Sequence, residues 1–125
     1  MSELVNSIRE RYLAALDTIA SAANRSGRSP EAVKLVVVTK FQPIEVVRAA
    51  IEAGAALLGE NYAEEGVTKI QSLQNLSAVE WHMIGHVQSR KAPLVAGHFN
   101  FMHSLDSLKL AKKLDRFCGE AGRVL

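Results

Sequence analysis

The chain has 125 residues, 48% of them hydrophobic and 22% charged, with a formal net charge of +2 and one cysteine, Cys118. That length suits a single domain with a real core, and so small a charge, with no basic stripe carrying interleaved aromatics, argues against a nucleic-acid binder. One cysteine excludes an internal disulfide and fits a reducing compartment; no signal-type apolar run opens the chain and nothing approaches the ~18 apolar residues of a spanning helix, so a soluble cytoplasmic protein is expected.

Residues 3 to 24 carry a helical stripe, in which Leu4, Ile8, Tyr12, Leu16, Ile19 and Ala23 recur at spacings of three and four. Asn24 and Gly27 supply stop signals, and Ser29-Pro30-Glu31 opens a short turn. The run LVVVT then reads as a buried strand, and Pro43 starts an amphipathic helix, PIEVVRAAIEAG, closed by Gly54. AALLGE is a second apolar strand. NYAEEGVTKIQSLQ follows as a helix, with Asn61 a candidate N-cap and Gly66 a weak point. VEWHMIG is a third strand, and VQSRKAPLVAG a short helix that Pro93 is placed to interrupt or shorten. FNFMHS is a fourth strand, DSLKLAKKLDRFCGEAG a helix from cap Asp106 to Gly119 or Gly122, and RVL the start of a fifth strand.

Strand and helix alternate at strand-to-strand spacings of roughly twenty residues, which predicts parallel strands joined by right-handed helical crossovers. An open doubly wound sheet and part of a (β/α)8 barrel both fit this α/β rhythm over residues 1–125, read as a single domain. In either architecture ligands sit at the C-terminal ends of the strands.

Lys40 lies at such an end. Side chains alternate along a strand, so Val36, Val38 and Lys40 share one face and Leu35, Val37 and Thr39 the other. A lysine continuing a valine face has a poorly solvated amine. Burial disfavours the ammonium form and leaves a free amine able to attack a carbonyl or aldehyde. The competing reading runs Lys40 from the strand end into water. Glu60, Asn61 and His82, with His86, Gln88, His103 and Ser104, are expected on the same rim, which suits a small-molecule site. Asn61 and Ser104 can alternatively serve as helix caps alone.

His82 and His86 flank a strand end rather than a helix turn, no His-Glu-x-x-His occurs, and one cysteine makes no thiolate cluster, so no metal site is expected. Cys118 falls in mid-helix, and neither Gly-x-Ser-x-Gly nor a Gly-x-x-x-x-Gly-Lys phosphate loop is present. Arg90 and Lys91 fit an anion on the rim or ordinary solvated charge.

The segments VVVTKFQP, LLGENYAEEGVTKI, VEWHMIGHVQSRK and HSLDSLKLAKKL stand in the order and spacing of a known family. Over nearly its whole length the chain resembles the pyridoxal-phosphate homeostasis proteins, relatives of the N-terminal barrel domain of alanine racemase. The pairing of GENYxxE with WHxIGxxQ is the specific part. The resemblance implies the first half of a (β/α)8 TIM-type barrel preceded by an N-terminal helix. It implies an internal aldimine (a Schiff base) between Lys40 and pyridoxal 5′-phosphate (PLP), with Asn61, His82 and Ser104 around the cofactor. It further implies a carrier that buffers PLP for apo PLP-dependent enzymes, with no established turnover and no catalytic residue.

The alternative is a PLP-dependent racemase or decarboxylase of the alanine racemase barrel type, which needs acid–base groups on both sides of the cofactor. Tyr62 is the nearest candidate. A third reading is a non-binding scaffold with Lys40 solvated. Arg90 stands where the family usually has Asn. A complete barrel takes about 200 residues or more, with its phosphate site after strands seven and eight. The chain is therefore expected to lack the family's phosphate loops, and to self-associate or rearrange because its strand edges are exposed.

Overall fold

The computed structural model describes residues 2–76 and 78–125. Helix α1 (Glu3–Arg25) starts at Ser2, whose hydroxyl accepts the Val5 N–H at 3.2 Å and satisfies one of the free donors of the first turn. Its contact face follows the predicted stripe from Ile8 through Tyr12, Leu16 and Ile19 to the buried Ala23; only at the first turn does it differ, where Val5 is buried and Leu4 is exposed. Val5 and Ile8 pack on Ala49 and Ala53, so α1 lies against α2, beside the repeat rather than within it.

The repeat comprises β1 (Val37–Val38), α2 (Ile44–Glu52), β2 (Leu57–Glu60), α3 (Ala63–Ser72), β3 (Glu80–Met83), α4 (Ala92–His98), β4 (Phe101–Met102) and α5 (Leu108–Ala121). All strand pairs are parallel, and the spatial order β1-β2-β3-β4 repeats the chain order. A doubly wound sheet reverses at a switch point and carries helices on both faces. Here there is no reversal. Val47 of α2, Val95 of α4 and Leu110 and Leu114 of α5 close a single core with Leu58, Trp81 and Met83 of the sheet. Sequential strands with helices on one side make half of a (β/α)8 barrel, and the doubly wound option falls away.

Local signals explain the boundaries. Pro93 sits in the first turn of α4, where its missing N–H goes unneeded, so it starts the helix instead of interrupting it. A 3₁₀ turn, Ser89–Lys91, leads into it. Helix α5 is capped by Ser107, one residue beyond the predicted Asp106; the Ser107 hydroxyl accepts the Leu110 N–H at 3.1 Å. It ends at Gly122, whose φ of 65° is the left-handed stop that glycine adopts freely. Residues 123–125 follow without joining the sheet. Gly66 weakens α3 for a reason: a Cβ there would stand 2.5 Å from the Phe99 ring. No helix of the described residues is long and apolar enough to cross a membrane.

The pairing register sorts the side chains by face. Val38, Gly59, His82 and Phe101 share one side, and Val37, Leu58 and Trp81 the other. Helices cover the second side. The first is open, with Val38 49% and Phe101 45% exposed.

Candidate functional site

Strand β1 passes directly into a tight turn, Thr39 to Gln42, closed by the Gln42 N–H on the Thr39 carbonyl at 3.1 Å. Phe41, third in the turn, has φ 61°, the left-handed conformation a type II turn requires and a non-glycine residue adopts only under constraint. Lys40 is exposed. That corrects the expectation of a desolvated amine. A strand buries a side chain only where a second layer faces it, and at Val38 and Lys40 the described residues supply none.

The turn is held from the covered side. Thr39, 3% exposed, donates its hydroxyl to Glu60, which is fully buried at the end of β2. Lys69 of α3, 5% exposed, donates to the Thr39 carbonyl at 2.7 Å, to Glu60 Oε1 at 3.0 Å and to Glu65 Oε1 at 2.8 Å. The Phe41 N–H donates to the same Glu65 oxygen at 2.7 Å. Each proton of the ammonium thus has an acceptor, and one cation sits between two carboxylates. Partial burial pushes the Glu65 carboxyl up, but hydrogen bonds from Lys69 and Phe41 and the Lys69 charge outweigh it and hold the group below the usual carboxylate value.

Glu60 therefore does not stand on the rim beside Asn61, as the sequence led us to expect. Alternation places it on the face of Leu58, among the helices. Strand alternation gives Thr39 its face but no partner, and the sequence does not single out Lys69. Their signal was a lysine on the same buried α3 face as Ala63 and Gly66, four residues after Glu65.

On the open side, His82 is buried by its own sheet neighbours. Its ring stacks on Phe101, with centroids 4.6 Å apart and 10° between planes. His82 Nδ1 lies 2.9 Å from His103 Nε2, and His82 Nε2 lies 3.4 Å from Glu80 Oε1. Burial pulls His82 below the ordinary histidine value of 6.5, against the hydrogen bond to Glu80 and with the charges of His103 and Lys34 acting in the same direction as burial. A neutral imidazole has one donor and one acceptor nitrogen, so one ring of the pair donates to the other.

Asn61, Gly85 and Ser104 meet where β2, β3 and β4 end. A Cβ at position 85 would lie 2.1 Å from the Asn61 carbonyl oxygen, so only glycine lets these two backbones touch. The Ser104 hydroxyl donates to the Gly85 carbonyl. Neither Asn61 nor Ser104 is a helix cap, since those positions fall to Tyr62 and Ser107. A cleft of about 510 Å³ opens beside Asn61, Gly85 and Gln88, with the Lys91–Glu64 ion pair among its lining residues. Tyr62 leans on Phe41 with ring centroids 5.2 Å apart. His86 pairs with Asp106 at the exposed surface, and Arg90 donates to Gln88; neither His86 nor Arg90 joins the His82 stack. Cys118 is buried in α5. Among the described residues no three His, Cys, Asp or Glu side chains group to hold a metal.

No family model matches the chain. Curated relatives do: the pyridoxal phosphate homeostasis protein of Escherichia coli (strain K12) is 43% identical over 113 residues, 89% of this chain and 48% of the relative. This chain is a homologue of the pyridoxal phosphate homeostasis proteins. The protein of that name from Pseudomonas aeruginosa is 39% identical over 110 residues, 88% of this chain and 47% of the relative. PipY of Synechococcus elongatus PCC7942, solved with PLP bound, superposes with a TM-score of 0.72 at 40% identity, covering 84% of this chain and 50% of PipY. A protein from Bifidobacterium adolescentis superposes with a TM-score of 0.85 at 29% identity, over 98% of this chain and 54% of its own. The chain thus spans about half the length of the curated pyridoxal phosphate homeostasis proteins it matches.

Proposed function

We propose that this chain supplies the lysine-bearing side of a PLP site and serves intracellular PLP homeostasis, with Lys40 holding the cofactor covalently. The observation that carries this reading is the exposed amine of Lys40 at the C-terminal end of β1, beside the rim of Asn61, Gly85 and Ser104, in a chain 40% identical to PLP-bound PipY.

The residues present fit the group. Lys40 Nζ is a primary amine for the aldehyde carbon, and its condensation there releases one water. Asn61 and the His82–His103 pair offer donors and acceptors for the polar edge of a pyridine ring. Ser104 fastens the Gly85 backbone that carries this rim. When bound, PLP supplies an electron sink to attached amines. The phosphate grip belongs to strands seven and eight of a complete barrel. We assign it to residues outside these four βα units, brought by a longer protein or by self-association through the open face, and the recipients to apo PLP-dependent enzymes.

The test is to add PLP, reduce with borohydride and map the modified peptides. The expected result is an adduct concentrated on Lys40 and absent from Lys40→Ala. Label spread evenly over the lysines, with no excess at Lys40, rejects the reading. Light scattering decides the second part, since a monomer with a cooperative melt rules out self-association.

A further inference from the structure

We infer that the buried Glu60–Lys69–Glu65 cluster is a positioning device for Lys40, fixing the backbone on both sides of it from the opposite face of the sheet. This inference rests on the assignment of Lys40 as the cofactor-holding amine. Thr39, immediately before Lys40, is anchored at its N–H by Gly59, at its hydroxyl by Glu60 and at its carbonyl by Lys69. Phe41, immediately after, is anchored at its N–H by Glu65. Both peptide units flanking Lys40 therefore end on one cation and its two carboxylates. All three come from β2 and α3, the next βα unit of the repeat.

Three considerations point the same way. Phe41 holds φ 61°, a conformation that persists outside glycine only where the surroundings over-determine it, and the Glu65 bond is such a constraint. Stability is a weak reason to keep a fully buried glutamate with a 5%-exposed lysine, because well-packed apolar substitutes for such pairs are often neutral or better. The Lys40 side chain is long and free in solvent, so the backbone turn sets where its amine starts. A misplacement of about 1 Å in a reacting group can cost on the order of a hundredfold. The cluster touches no ligand position itself, since it lies among the helices. It acts through Thr39 and Phe41.

The experiment compares the wild-type protein with Glu65→Ala and with the double variant Glu60→Gln/Lys69→Met. The double variant removes both buried charges together, and the Glu65 carboxylate that remains is partly exposed and keeps the Phe41 N–H, so the fold is retained. Two quantities are read: amide hydrogen exchange over Thr39 to Gln42, and the share of PLP–borohydride label on Lys40 relative to the other lysines. The expected result is faster exchange in that turn in both variants, with the Lys40 share falling on the order of tenfold in the double variant and less in Glu65→Ala. The thermal melt of Glu65→Ala stays near wild type, a split that a general loss of stability does not produce. Unchanged exchange and an unchanged Lys40 share in the double variant overturn the inference while leaving the proposed function standing. If wild-type Lys40 takes no preferential label, the proposed function fails, and exchange in the turn decides the inference alone: faster in the variants supports it, unchanged overturns it.

Discussion

Phe99 and Phe101 stand two residues apart, and strand alternation would give them the same face. Phe99 is instead fully buried against Gly66 of α3, while Phe101 is 45% exposed and stacks on His82. The reason is local. Phe99 ends α4 as its C-cap, before the strand begins, so the chain turns between the two rings. One side of the sheet spends its side chains on the core. The other presents rings, amides and an amine that the fold does not use.

Truncating each ring measures that difference directly. Phe99→Ala is expected to cost about 3–5 kcal/mol in denaturant titrations, because the ring leaves a cavity between α3 and the sheet. Phe101→Ala loses only a half-exposed stacking partner and should cost about 1 kcal/mol. Equal losses would mean that the open face is as much a core as the covered one.

Gly85→Ala should come next, at about 1–3 kcal/mol, since its new Cβ forces the Asn61 backbone away. Chemical-shift changes should then spread to Ser104 across the shared Gly85 carbonyl. Confinement of the changes to residue 85 would show that the three strand ends are not one unit.

Much of this architecture could be read from the residues. The parallel βα rhythm, the extent of α1 and the placing of Asn61, His82 and Ser104 near strand ends all followed from periodicity and turn signals. The exposure of Lys40 did not, because a strand's own sequence is the same whether or not a second layer faces it. Glu60 was misplaced although alternation with Leu58 already gave its face. Lys69 was hidden because a lysine in a helix ordinarily reads as surface.

Acid should separate the two faces by pH. His82 has a folded value below its unfolded 6.5, so the unfolded state binds more protons below that pH. Its contribution is complete above 6.5 and declines as pH falls. Glu65, lowered from 4.5, contributes above that value and is lost only as pH drops through it. Denaturation midpoints should therefore first decline between pH 6.5 and 4.5 through the open face, and His82→Gln should flatten that segment. A slope unchanged by the substitution would place the titrating group elsewhere. The smallest expected change is Val38→Thr, within about 0.5 kcal/mol, because its site is already half in water.

The sequential strand order also bears on how the protein is made. Each strand pairs with the one synthesised before it, across about twenty residues, so loop-closure cost stays low and uniform along the sheet. A ribosome releasing the chain from its N-terminus delivers β2, β3 and β4 each to the edge of the strand made before it. The same geometry sets a schedule for Lys40. Its own strand emerges first, but the Glu60 and Lys69 that fix its turn arrive only with the second unit, so the amine is exposed before it is aimed.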